Sequence, residues 1–184
     1  MRLAGIVLIV LALNPLIAAQ KDKSQRVSPP ATVELALHGK KVTVDYSRPK
    51  IRDPKTGQPR KIMGSLVPYG TPWRTGANEA TAFVTEGDVV VGGVQVPKGS
   101  YTLYSLPNEK AWWLIISKKT GQWGDPYPGA QDDFAVIPMQ LEPLAQTVDQ
   151  FTISLEPASG QAVPARMCLA WELTKACVTL AAKE

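Results

Sequence analysis

Past residue 30 the apolar positions of the chain recur with a period of two in short runs, and no window of helical length carries a 3.6-residue repeat. In ATVELAL, Val33, Leu35 and Leu37 share one face, and after a His38-Gly39-Lys40 turn KVTVDY does the same with Val42, Val44 and Tyr46. This alternation predicts a first hairpin. AFVTE, VVV, VQV and SYTLYSL follow, separated by EGD, Gly92-Gly93 and Pro97-Lys98-Gly99, where glycine's positive φ and proline's fixed φ favour turns. AWWLIIS is apolar on both faces, which predicts a strand inside a covered sheet. FAVIPMQL contains Pro138, which lacks a ladder donor and predicts an edge. QFTISLE alternates through Phe151, Ile153 and Leu155, and RMCLAWEL with ACVTLA predicts a closing pair. About ten short strands with turn chemistry between them predict an all-β fold, an antiparallel β-sandwich of jelly-roll-like form.

The first residues break this rhythm. MRLAGIVLIVLALNPLIAAQ has a basic Arg2, an apolar run to Leu13, Pro15, and small Ala18 and Ala19. The run is shorter than the roughly 20 residues needed to span a bilayer, so it predicts a signal peptide over 1–19. A polar tail over 20–30 and one domain over 31–184 follow. The mature chain is then expected to be periplasmic or extracellular, with no membrane span. No cysteine follows the apolar run to carry a lipid. The formal charge of +4 is too small to argue for a nucleic-acid partner. Composition assigns no oligomeric state.

Candidate chemistry is sparse. His38 is the single histidine and sits in a turn, GxSxG is absent, and one histidine with two cysteines does not make a zinc site. Asp125, Asp132 and Asp133 are oxygen ligands without an EF-hand pattern, so no metal is assigned and no cofactor is expected. Two long loops interrupt the strands, Ser47 to Lys61 and Lys118 to Asp133. The first is rich in proline and cations and is read as a solvated face. Cys168 and Cys177 face each other if the chain turns at Glu172-Leu173, and are offset if it turns one residue later. A disulfide and two buried thiols both stay open.

VPYGTPWRTGANEAT, Val67 to Thr81, is the segment best suited to a site. Trp73 offers a flat apolar face, Arg74 a fork of donors for an anion, and Asn78 a residue that tolerates the left-handed region. Tyr46, Arg48, Tyr101, Tyr104 and Trp123 are further candidates for the same surface. The alternative is a structural plug in which Arg74 pairs with Glu79 or Asp45. The residues lean toward a binding module for a small-molecule or glycan-like ligand at Trp73, Arg74, Asn78 and Glu79, and away from an enzyme. An envelope or glycan hydrolase using Glu79 as its catalytic carboxyl, and an assembly protein pairing through a sheet edge, are the rivals.

SPPATVEL, TVDYSRPKIR, GSLVPYGTPWRTGANEAT, VPKGSYTLYSLP and the pairing of WWLIIS with TGQWG together resemble the bacterial exported family labelled domain of unknown function 2911. The likeness runs from Ser28 to Glu172. It implies a secreted or periplasmic β-rich domain and brings no activity with it. DPKTGQPR, Asp53 to Arg60, is longer than the family's pattern suggests, and helical repeats appended in some members are absent here.

Overall fold

The structure, a computed structural model, describes residues 23, 25–160 and 164–183. The signal peptide expected over 1–19 lies outside the described residues. Among the described residues nine strands form one antiparallel sheet: β1 (Pro30–Leu37), β2 (Lys40–Ser47), β3 (Thr81–Thr85), β4 (Val89–Val91), β5 (Val94–Val96), β6 (Gly99–Pro107), β7 (Trp112–Ser117), β8 (Asp133–Glu156) and β9 (Ala165–Ala182). The spatial order is β1-β2-β3-β6-β7-β8-β9-β4-β5. Alternation decides which side chains enter the core. Val42, Val44 and Tyr46 of β2 are buried, as are Thr81, Phe83 and Thr85 of β3. The doubly apolar β7 lies between β6 and β8, with Leu114, Ile115 and Ile116 all buried.

Two segments differ from the sequence expectation. FAVIPMQL and QFTISLE are one 24-residue strand, and RMCLAWEL and ACVTLA are one 18-residue strand. Pro138 is therefore not on an edge: β8 is flanked by β7 and β9. The proline is tolerated because the β9 ladder begins only at Gln140, which leaves Pro138 with a partner, Trp113, on one side.

The β8–β9 ribbon bends sharply, and the bend lets one sheet supply both walls of the core. Cys168 and Cys177 lie nine positions apart on β9, which would separate them by about 30 Å in a straight strand. Their Cα atoms are 4.1 Å apart and their sulfurs are bonded. Glu172, at the midpoint, has φ 51°. Between Pro143↔Thr174 and Thr152↔Ala170, β8 advances nine positions while β9 advances four, so β8 takes the outer course with bulges. Across the bend Arg166 bonds Glu142 (2.5 Å) and Glu156 (2.6 Å), and Lys175 reaches Glu156 at 2.7 Å. Burial raises the Glu156 carboxyl, but bonds from Lys175 and Arg166 outweigh it and hold the group below its usual range.

A second closure joins the start of the sheet to the far half of β8. Lys50 bridges Gln150, Phe151 N–H donates to Pro49 O (2.9 Å), and Ile51 N–H donates to Asp149 O (2.8 Å). The Tyr46 hydroxyl accepts from Ile153 N–H (2.9 Å) and faces Ile153 O at 3.3 Å. The Arg48 side chain donates to Phe151 O (3.1 Å) and Thr152 Oγ1 (2.8 Å). Both residues, candidates for ligand contact by sequence, spend their polar groups on this seam.

Candidate functional site

The irregular segment from Val67 to Thr81 is held against the sheet by its backbone. Gly70 N–H donates to Pro107 O (2.9 Å), and Trp73 exchanges two bonds with Ser105 of β6 at 2.7 and 2.9 Å. Thr75, with φ 52°, is fully buried and its hydroxyl lies 3.1 Å from Ser105 Oγ. Gly76 has φ 154°, and a Cβ there would come within 2.9 Å of Ser47 O, so the segment passes β2 at a distance only glycine permits.

This anchoring sends the Trp73 ring into an aromatic cluster. It meets Phe151 of β8 edge-on at 4.9 Å and stacks on Trp171 of β9 at 5.7 Å with an interplanar angle of 21°. Trp73 and Arg74 line a cavity of about 570 Å³, with Trp171 in its wall. That volume suits a small ligand. The Arg74 stem packs on Gly124, where a Cβ would fall 2.5 Å from Arg74 Cδ. Gly124 is itself placed by donating to Asn78 O (3.2 Å). Among the described residues no hydrogen bond or ion pair engages the Arg74 guanidinium.

The loop read as a solvated face supplies another wall: Lys50, Arg52 and Arg60 line the same cavity, with Asp53 and Asp125 as its carboxylates. Sequence reasoning missed these residues. The signal was present in the prolines interleaved with cations, but which way the loop folds depends on the β2–β8 seam. Arg60 is committed internally, donating to Ile51 O (3.2 Å) and Lys50 O (2.8 Å). Asp53 Oδ1 accepts from the Lys55 and Thr56 amides at 2.8 and 3.0 Å, and these bonds hold its carboxyl below the usual range.

The other candidates separate from this cavity. Tyr101 donates to Pro97 O (3.0 Å) and packs between Phe83 and Phe134. Tyr104 is buried, meets Tyr127 edge-on at 5.1 Å and accepts from Gln122 Nε2 (3.3 Å). Burial raises its hydroxyl pKa, with the Gln122 bond and the Arg74 charge opposing. Trp123 is 54 % exposed and bridges Glu79 through its backbone. Asp133 is taken by the Tyr127 hydroxyl at 2.6 Å.

Asn78 and Glu79 hold the N-terminal segment. Asn78, with φ 60°, donates from Nδ2 to Ser28 O (3.1 Å). Glu79 accepts from Arg26 (2.5 Å) and pairs with Lys23 (3.1 Å), so it is not the partner of Arg74. The Arg26 bond is the main cause that lowers the Glu79 carboxyl from the usual 4.5 to about 2. Val27 and Ser28, held by these contacts, line the cavity. A depressed carboxyl stabilises the fold above its unfolded pKa, so this tether is complete above about pH 4.5 and lost as pH falls through about 2. The Glu79 side chain is 39 % exposed, which limits its global contribution to about 1 kcal/mol or less. Glu79→Gln at neutral pH is therefore expected to speed tryptic cleavage after Arg26 while the melting temperature stays nearly constant. Unchanged cleavage kinetics would remove the tether.

An all-β domain with a ligand-sized cavity, closed on one side by an aromatic cluster and on another by a cationic loop, is what the fold and the geometry define. The chain belongs to the family described as Protein of unknown function (DUF2911), which matches residues 28–180. No curated protein and no solved structure matches it.

Proposed function

We propose that the protein is a binding module that acts after export, in the periplasm or outside the cell, and takes a small or glycan-like ligand in the cavity beside Trp73 and Arg74. The observation that carries this is the cavity of about 570 Å³ lined by Trp73, Trp171 and a guanidinium that has no hydrogen bond or ion pair among the described residues. The Cys168–Cys177 bond and the apolar N-terminal run support an oxidising destination. Glu79 does not favour the hydrolase reading. Its carboxyl, near 2, holds no proton to donate at neutral pH, is a weak base, and is occupied by Arg26.

A panel of neutral and charged saccharides, read by tryptophan fluorescence and melting temperature, tests the reading. A saturable response is expected in the wild type and a large reduction in Arg74→Ala, which leaves the ring cluster in place. Trp73→Ala is the less clean variant because Trp73 also packs on Phe151 and Trp171. A response identical in wild type and Arg74→Ala would place any binding elsewhere, and silence across the panel would overturn the module.

A further inference from the structure

We infer that the ligand of this cavity is an acidic sugar, carrying a carboxylate or phosphate beside its ring, and that Arg74 receives the oxyanion; this rests on the binding-module reading above. The cavity wall has a surplus of donors. Trp171, 2 % exposed, lines the cavity as part of its low-dielectric wall.

Arg74 is the first of these donors. Arg60 shows how this fold uses an arginine structurally, with two backbone carbonyls and Asp53 around it, whereas the Arg74 guanidinium has none of these among the described residues. The charge balance agrees. Lys50, Arg52, Arg60 and Arg74 line the cavity against two carboxylates, and Asp53 already accepts two backbone amides. A guanidinium beside a low-dielectric aromatic wall recognises carboxylate or phosphate in preference to a neutral hydroxyl. Asp125, the other carboxylate, supplies an acceptor to the same space. A ligand that meets both demands has an oxyanion and hydroxyl groups on one small frame, which is the chemistry of a sugar acid or a sugar phosphate.

The test compares glucose, glucuronate and glucose 6-phosphate, three probes with one ring and different charge, titrated into the full chain. At least one charged probe is expected to bind about tenfold or more tighter than glucose, and raised salt should shrink that margin. Comparing the two charged probes separates carboxylate from phosphate recognition. Arg74→Ala should erase the margin. Equal affinity for all three probes overturns the oxyanion inference and leaves the binding module standing. No response to any of them also overturns the inference, and the broader saccharide panel then decides the module separately.

Discussion

Trp171→Ala is expected to lower the unfolding free energy by about 3–5 kcal/mol, the range for deleting a large buried aromatic side chain. Trp171 is 2 % exposed and belongs to a three-ring cluster whose members come from different parts of the chain: Trp73 from the irregular segment, Phe151 from β8 and Trp171 from β9. Truncation opens a void under Trp73 and removes its stacked neighbour, so the loss combines unburied area, cavity and ring contact. Urea unfolding followed by circular dichroism should show a lower midpoint at an unchanged slope. Ligand response should vanish with it, because Trp171 lines the cavity as well as supporting it. Trp171→Phe should lose distinctly less stability. A cost below about 1 kcal/mol for the alanine variant would mean that the cluster does not join the segment to the sheet.

Glu172→Ala should cost about 2–5 kcal/mol, through loss of two charge-assisted hydrogen bonds at one point. The Glu172 carboxylate accepts from the backbone amides of Ile62 (2.9 Å) and Met63 (3.0 Å), whose residues are almost fully buried. Alanine leaves both amides without that acceptor. The position also has φ 51°, so three variants separate backbone strain from the carboxylate. Glycine relieves the conformation but removes the acceptor, alanine removes the acceptor without relieving the conformation, and glutamine keeps an amide oxygen. Stability is expected to fall in the order wild type, glutamine, glycine, alanine, with faster amide exchange at Ile62 and Met63. Leu66 and Val67, a few residues on, line the cavity, so ligand response should weaken in parallel. A glycine variant as stable as the wild type would show that strain, and not the bonded carboxylate, governs this corner.

Much of the sheet was legible because strand burial is a local property. Val42, Val44 and Tyr46 share a face whatever their partners, since successive side chains alternate by covalent geometry alone. The apolar run in β7 likewise announced a strand covered on both faces. Pro138 misled because a missing donor matters only where a partner would have used it, and the register of β9 leaves that place empty. At the site, Trp73 and Arg74 stood out by residue type and do line the cavity. Asn78 and Glu79 stood out equally, but their partners, Ser28, Lys23 and Arg26, lie some fifty positions earlier, as in Arg26–Glu79 with a separation of 53. Tyr46 and Arg48 find their acceptors more than a hundred positions later, and no spacing rule reaches that far.

By itself the sequence determined the class of structure: antiparallel strands, where most of them run, which faces they bury, and the irregular segments between them, Val67 to Thr81 included. Those features follow from a two-residue repeat and from glycine and proline, which act within a few bonds. The tertiary structure decided which of the two turn positions left open by the sequence is used, so that the β8–β9 ribbon doubles back at Glu172, and it alone decided that the cationic loop turns inward beside Trp73 and that Glu79 faces the N-terminal segment. Each of those outcomes is a pairing between distant residues, chosen by the competition of many contacts once the chain has closed, and so has no local signature to read.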